Sequence, residues 1–257
     1  MDPINLFTFL TPLFLPLCCF APIFLGMLGF MVWLIARRLQ PLTAEEKSKA
    51  EVEARGILEG AVPNLLPWSR EAFSDLAAGW DGVYRHFLML FASGRCPSLR
   101  DPQRSWLAYV LSVKENSGFL LTRTSNREAR LDFGDDSVTA TVDGQLLGVM
   151  RLSTGEIYDT TRQSIGVRRR QENMQIFIAG IELDPSQRFY PLILNGREIA
   201  KISIAKAWGS WRRREPLVAN LIQDLKPEEE DWLLALCALE IGYHSQLRRL
   251  RGSRSRL

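Results

Sequence analysis

Three runs of arginine carry the most suggestive chemistry in this chain of 257 residues: Arg168-Arg169-Arg170, Arg212-Arg213-Arg214, and the tail positions Arg248, Arg249, Arg251, Arg254 and Arg256. A guanidinium forks onto phosphate and carboxylate oxygens through paired N–H groups. Basic residues close to an anionic leaflet are each worth about 1 kcal/mol of attraction. The positive charge is concentrated rather than general: taking the five tail arginines from the net charge of +3 leaves −2. Trp208 and Trp211 stand beside the second run, a pairing suited to a membrane interface. The bland alternative for these runs is a solvated loop and a disordered tail.

Residues suited to catalysis are sparse. Of the two histidines, His86 falls in a strand-like stretch and His244 follows Tyr243 near the end of an apolar run. A general base needs a positioned partner, and none can be named for either. No G-x-S-x-G, P-loop, H-E-x-x-H or C-x-x-C pattern is present. Glu240 lies inside the apolar run Trp232–Tyr243, where an unpaired carboxylate would be costly, so it should reach the surface or pair with an arginine. The sequence implies no enzyme, no cofactor and no metal.

The elements that must hold these residues begin with a block lacking all charge from Pro3 to Ala36. About 20 apolar residues cross a bilayer, so this block predicts a transmembrane anchor. A cleaved signal peptide is the rival, but "MDPINLF" has no basic residue and the run ends in Arg37-Arg38 instead of a small-residue cleavage site. Pro12, Pro16 and Pro22 kink the beginning, which leaves Ala21–Leu39 as the regular span. Basic residues directly after the span place the C-terminal part in the cytoplasm. The four cysteines, Cys18, Cys19, Cys96 and Cys237, form no metal knuckle or disulfide framework and read as reduced and structural.

After the anchor, "PLTAEEKSKAEVEARGILEG" predicts a mostly polar helix opened by a Thr43–Glu46 capping box, read as a stalk rather than a core element. A Pro-containing hinge and a short helix at Ser69–Ala78 follow. The period then changes to two. Strands are expected at Gly82–Phe91, Ser105–Val113, Gly118–Thr124, Arg130–Phe133, Ser137–Val142, Gln145–Leu152, Gln163–Arg170, Met174–Ile181, Phe189–Leu194, Arg197–Ala207 and Pro216–Ile222. Asp143-Gly144 and Asn195-Gly196 mark two-residue hairpins, and Gly155 a weaker turn. Pro227 and four following acids open a closing helix. Its apolar middle is roughly 18 Å long, too short to cross a bilayer. It is apolar around its whole circumference, so it belongs inside a protein, and only a barrel of many strands could surround it.

"DGQLLGVMRLSTGEIYDTTRQSIGVRRR" and "EEEDWLLALCALEIGY" resemble the strand pairs and the acidic-start closing helix of the tubby-like superfamily, which includes tubby, phospholipid scramblases and LURP-one-related proteins. The resemblance covers Trp80 to Leu247 and implies an antiparallel barrel of about 12 strands around a hydrophobic C-terminal helix. The chain lacks the cysteine-rich and acidic calcium segments of scramblases, so lipid scrambling does not carry over. The phosphoinositide-binding positions of tubby proteins cannot be matched one by one, and none is transferred.

The expected organisation is a transmembrane anchor (1–40), a helical juxtamembrane linker (41–79), a mainly β barrel (80–247) with its central helix (227–247), and a basic tail (248–257). The expected function is a single-pass, membrane-anchored, non-catalytic module. It would contact anionic lipid headgroups through Arg168, Arg169, Arg170, Arg212, Arg213, Arg214, Arg248 and Arg249. An accessory or scaffold subunit of a larger membrane complex, using the stalk helix and anchor, is the second expectation. An enzyme of unspecified reaction is the third. Nucleic acid is not an expected partner.

Overall fold

Among the described residues twelve strands, each paired antiparallel with the next, form one sheet. The structure is a computed structural model that describes residues 23–34, 36, 42–77, 81–85, 90–114, 117–168, 189–203 and 216–254. The chain divides into two units, Met1–Pro41 and Leu42–Leu257. In the first unit, residues 23–34 form helix α1, whose large apolar side chains such as Phe24, Leu25 and Met27 are exposed. Among the described residues no helix is long and apolar enough to cross a membrane, which says nothing about crossing by strands. Both ends of the predicted span Ala21–Leu39 lie outside the described residues.

The second unit opens with α2 (Ala44–Ala61), capped as expected: Thr43 Oγ1 accepts from the Glu46 N–H, and Glu46 reaches back to the Thr43 N–H. A 3-10 turn (Val62–Asn64) and α3 (Ala72–Asp75) follow. The strands are β1 (Asp81–Arg85), β2 (Leu90–Pro97), β3 (Ser105–Lys114), β4 (Ser117–Arg123), β5 (Glu128–Phe133), β6 (Ser137–Val142), β7 (Gln145–Arg151), β8 (Glu156–Asp159), β9 (Ser164–Arg168), β10 (Phe189–Leu194), β11 (Arg197–Ser203) and β12 (Val218–Leu221). Helix α4 (Pro227–Arg254) closes the chain. Two strands were not expected, β2 and β8, while the expected strand Met174–Ile181 lies outside the described residues.

Local chemistry sets the register. Asp143 and Gly144 have φ of 51° and 80°, and Asn195 and Gly196 have 51° and 77°, the pattern of a type I′ turn whose twist matches the strands it joins. Gly166 allows close strand approach, since a Cβ there would lie 2.2 Å from the Ile193 carbonyl oxygen. Pro97 ends β2 at a register shift, where its missing N–H breaks no ladder.

Among the described residues no ladder joins β12 back to β1. The stretch before β1 instead makes isolated bridges on both sides, Leu76 with Ser98 and Ala77 with Pro216. The Ala77 N–H donates to Pro97 O at 3.0 Å, and the Leu217 N–H donates to Leu76 O at 2.8 Å.

Helix α4 packs against β3, β4, β5, β6, β7 and β11. Every residue from Trp232 to Gly242 is buried, and three turns of helix sample all directions. Large side chains such as Trp232, Leu233, Leu236 and Ile241 each gain roughly 1.5–3 kcal/mol from that burial. The expected interior helix is therefore present, wrapped by a sheet whose edges are bridged but not laddered.

The stalk expectation for α2 requires correction. Ala50, Ala54, Leu58 and Ala61 face a second core made with Phe91, Ala108, Val110, Phe119 and Leu121. Strands β3 and β4 are consequently buried on both faces, α4 on one side and α2 on the other. Ion pairs flank the contact: Lys47–Asp132 at 2.7 Å, Glu51–Arg130 at 2.6 Å and Arg55–Glu128 at 3.1 Å. Residues from Leu42 onward belong to the body itself and do not form a separate linker.

Candidate functional site

Since each strand reverses the last, the connections alternate between two ends of the sheet. The Asp143-Gly144 and Asn195-Gly196 turns and the start of α4 share one end, called here the hairpin end. The C-terminal ends of β1, β3, β5, β7, β9 and β11 share the other. Leu42, the first residue of this unit, is also there, its N–H donating to Oγ of Ser117 at the start of β4. We call it the entry end.

At the hairpin end the acids that open α4 are held by arginines from the surrounding chain. Arg197 forks onto Glu229, its Nε donating to Oε1 at 3.0 Å and its Nη2 to Oε2 at 2.6 Å. Arg70 donates to Glu230 and to the carbonyls of Gln223 and Leu225. Arg127 joins Asp231 at 2.6 Å and Asp143 at 2.8 Å. The Arg197 hydrogen bond holds the Glu229 carboxyl below its usual range. These acids do favour the helix dipole, as expected from sequence, but their ion pairs also pin the helix start to β11, the β4–β5 turn and the segment before α3.

Toward the entry end, α4 presents Glu240, 1% exposed, to the interior. Arg168, the last residue of β9, donates through Nη2 to Glu240 Oε1. The Tyr190 hydroxyl on β10 donates to the same oxygen at 2.8 Å, and the Arg168 guanidinium carbon sits 4.8 Å from the Tyr190 ring centroid. Burial pushes the Tyr190 hydroxyl well above its ordinary pKa, and does the same to the Cys237 thiol one turn earlier on α4. Both groups therefore stay protonated and offer no ready nucleophile. The chemistry available to this cluster is charge compensation: a buried anion answered by a cation and a hydroxyl. Glu240 thus pairs with an arginine, one of the two outcomes its position in an apolar run had suggested.

A further polar cluster ties the bridged edges. Asp75, 5% exposed at its side chain, accepts from Ser98 Oγ, from Trp106 Nε1 at 2.7 Å and from the Arg100 N–H at 3.0 Å. Burial alone would raise the Asp75 pKa, yet these donors hold it below the usual carboxylate range. Among the described residues no group of histidine, cysteine, aspartate and glutamate could hold a metal ion.

Of the arginines singled out from sequence, Arg168 points inward to Glu240 and is 13% exposed. Arg169, Arg170, Arg212, Arg213 and Arg214 lie outside the described residues, as do His86, Trp208 and Trp211. Arg248 and Arg249 belong to the α4 backbone helix, but their side chains, like that of His244, are outside the description. In sequence Arg169 and Arg170 follow β9 directly and Arg214 is two residues before Pro216, while α4 travels from the hairpin end toward the entry end. Tyr190 was missed at the sequence level. Its only signal was strand alternation, which sets it on the face shared by Leu192 and Leu194.

No family model, no curated protein and no solved structure matches this chain.

Proposed function

We propose that the protein is a membrane-anchored, non-catalytic module whose arginine-rich runs bind anionic lipid headgroups. One observation supports the reading: β9 and β11, the strands after which two of the arginine runs follow in sequence, both end where Leu42 bonds to Ser117. Arginines elsewhere in the body, Arg70, Arg127, Arg130 and Arg197, are committed to acids of the fold itself. The β11–β12 connection, by contrast, sets Lys206, Arg212, Arg213 and Arg214 against the single acid Glu215. The exposed apolar surface of α1 supports the anchor, with the body on the cytoplasmic side of the bilayer. The sheet around α4, its two sides bridged through Leu76 and Ala77 without a closing ladder, is compatible with a tubby-like architecture.

The test is titration of the detergent-solubilised full chain with short-chain phosphatidylserine and phosphatidylcholine. At about 1 kcal/mol per basic residue, changing Arg212, Arg213 and Arg214 together to Ala should weaken phosphatidylserine binding roughly a hundredfold. Equal affinity for the two lipids, or no effect of the triple change, refutes the reading.

A second reading, a scaffold subunit of a larger membrane complex, is favoured by the same exposed side chains of α1, which another membrane helix could cover. It draws less on α2, whose apolar stripe is already covered by β3 and β4. Purification in mild detergent separates the readings, since a lone monomer at native abundance opposes the scaffold.

A further inference from the structure

We infer that the solvent face of α2 is a self-association surface, on which the α2 of a second copy of this chain lies antiparallel about a two-fold axis. The inference uses none of the arginine runs, so it stands or falls apart from the lipid-binding reading.

Helix α2 has two faces of different character. Ala50, Ala54, Leu58 and Ala61 hold it against β3 and β4, which fixes the opposite face as a rigid outward surface. Along that outward face run Glu45, Lys49, Val52, Gly56 and Glu59, all exposed and spaced alternately four and three residues apart. This is the spacing of a seam at which two helices meet. Val52, 71% exposed, is its large apolar residue. Gly56, one turn later, and Gly60 beyond it have nothing within 4 Å of where a Cβ would stand. Glycine inside an exposed helix is destabilising relative to alanine, so the body itself gains nothing from either. A second helix does gain, because its backbone can come close there and a side chain can enter the gap.

Charge fixes the direction and the register. With two copies antiparallel and Ala54 level with Ala54, Lys49 of each faces Glu59 of the other. Val52 of each then enters the space beside Gly56 of the other. The contact runs from Lys49 to Glu59, roughly 15 Å of helix. Other arrangements bring like charges together. A parallel pair in register sets Lys49 on Lys49 and Glu59 on Glu59. Sliding the antiparallel pair by one turn either way sets Glu45 or Glu53 against Glu59. Lys49 bonds Glu45 within its own helix at 2.6 Å, but these side chains are 76% and 78% exposed, and a pair so open to water costs little to redirect. The interface is small, and a shared bilayer supplies the effective concentration that it needs.

The test is energy transfer between donor- and acceptor-labelled copies of the full chain in phosphatidylcholine vesicles. The fluorophore sits on Gln145→Cys, with Cys18→Ser and Cys19→Ser, while Cys96 and Cys237 are buried. Lys49→Glu alone, or Glu59→Lys alone, replaces both ion pairs by like charges and should weaken association roughly tenfold. Mixing the Lys49→Glu chain with the Glu59→Lys chain sets opposite charges together again at both positions. That mixture, and the chain carrying both changes, should associate to within roughly threefold of the parent. Gly56→Leu should raise the melting temperature, since leucine is the better helix former, while abolishing the transfer.

Parent chains that transfer no more than Gly56→Leu chains overturn the inference. A loss in the single reversals that mixing does not restore also overturns it. Single reversals that associate as the parent does overturn it as well, and move the contact to α1.

Discussion

Replacing Arg168 with Met would strand Glu240, 1% exposed, with the Tyr190 hydroxyl still donating to it but the guanidinium gone. Removing one member of a buried ion pair costs about 3–5 kcal/mol, because the remaining charge keeps its desolvation penalty and loses its compensation. Arg168→Met should fall near the upper limit of that range. Glu240→Leu should fall near the lower one, since Arg168 retains 13% exposure and can turn toward water. Replacing both charges and changing Tyr190→Phe, so that no hydroxyl is orphaned, should return stability to within about 1 kcal/mol of the parent or raise it. Equilibrium urea unfolding of the full chain in detergent, followed by tryptophan fluorescence, gives each value, and the cycle gives a coupling energy of at least about 2 kcal/mol. If Arg168→Met cost less than about 1 kcal/mol, the pair would not be buried as described, and Arg168 would return to the surface cluster.

Acid should loosen the molecule at two seams. The Arg197 hydrogen bond holds the Glu229 carboxyl below its ordinary value, and at Asp75 burial pushes the carboxyl up but the donors Ser98, Trp106 and Arg100 hold it below its ordinary value. A depressed folded-state pKa means stability that is present above the unfolded value and lost as pH falls through the folded one. Unfolding midpoints should therefore drop below about pH 4.5, and Arg197→Gln should lower the midpoint near neutral pH while shrinking the Glu229 part of the acid-induced loss, as a pH series of thermal melts would show. On α2, Ala54→Asp places a carboxylate at a position with 0% exposure and should lower the melting temperature severely, whereas Val52→Asp, at 71% exposure, should change stability by no more than about 0.5 kcal/mol. Deleting residues 1–64 uncovers Phe91, Val110, Phe119 and Leu121, and the product should aggregate on gel filtration unless α2 is restored.

The parts of the fold legible in sequence were those written in local chemistry. Asp143-Gly144 and Asn195-Gly196 declare their turns through a backbone conformation few other residue pairs tolerate. Helix α4 declared its burial through apolar residues on every side. Strand β2 was hidden because "LFASGRCP" mixes Gly, Ser, Arg and Pro with no alternation, and its ladder is defined by β3 rather than by its own side chains. Strand β8 has only four residues, too few to show a period beside the Gly155 turn. Helix α2 looked polar because its inner stripe is mostly alanine, a residue that signals helix propensity more than burial. It is the tight approach of α2 to β3 and β4 that makes those small side chains a core.

The site was legible only in part for a related reason. A run of three arginines looks like one patch, yet its first member, Arg168, is turned in toward α4. The partners of Glu229, Glu230 and Asp231 are Arg197, Arg70 and Arg127, all more than 30 residues away in sequence, and no local pattern announces them.

The account depends most on α4 being an interior element around which the sheet is built. Hydrogen exchange of the full chain in detergent tests this directly. The amides of Trp232–Gly242 should be among the slowest to exchange and should open together with those of β3 and β4, at a free energy close to that of global unfolding. If they exchanged as fast as the exposed hairpin at Asp143-Gly144, α4 would be a peripheral helix and the wrapped-helix architecture would be wrong.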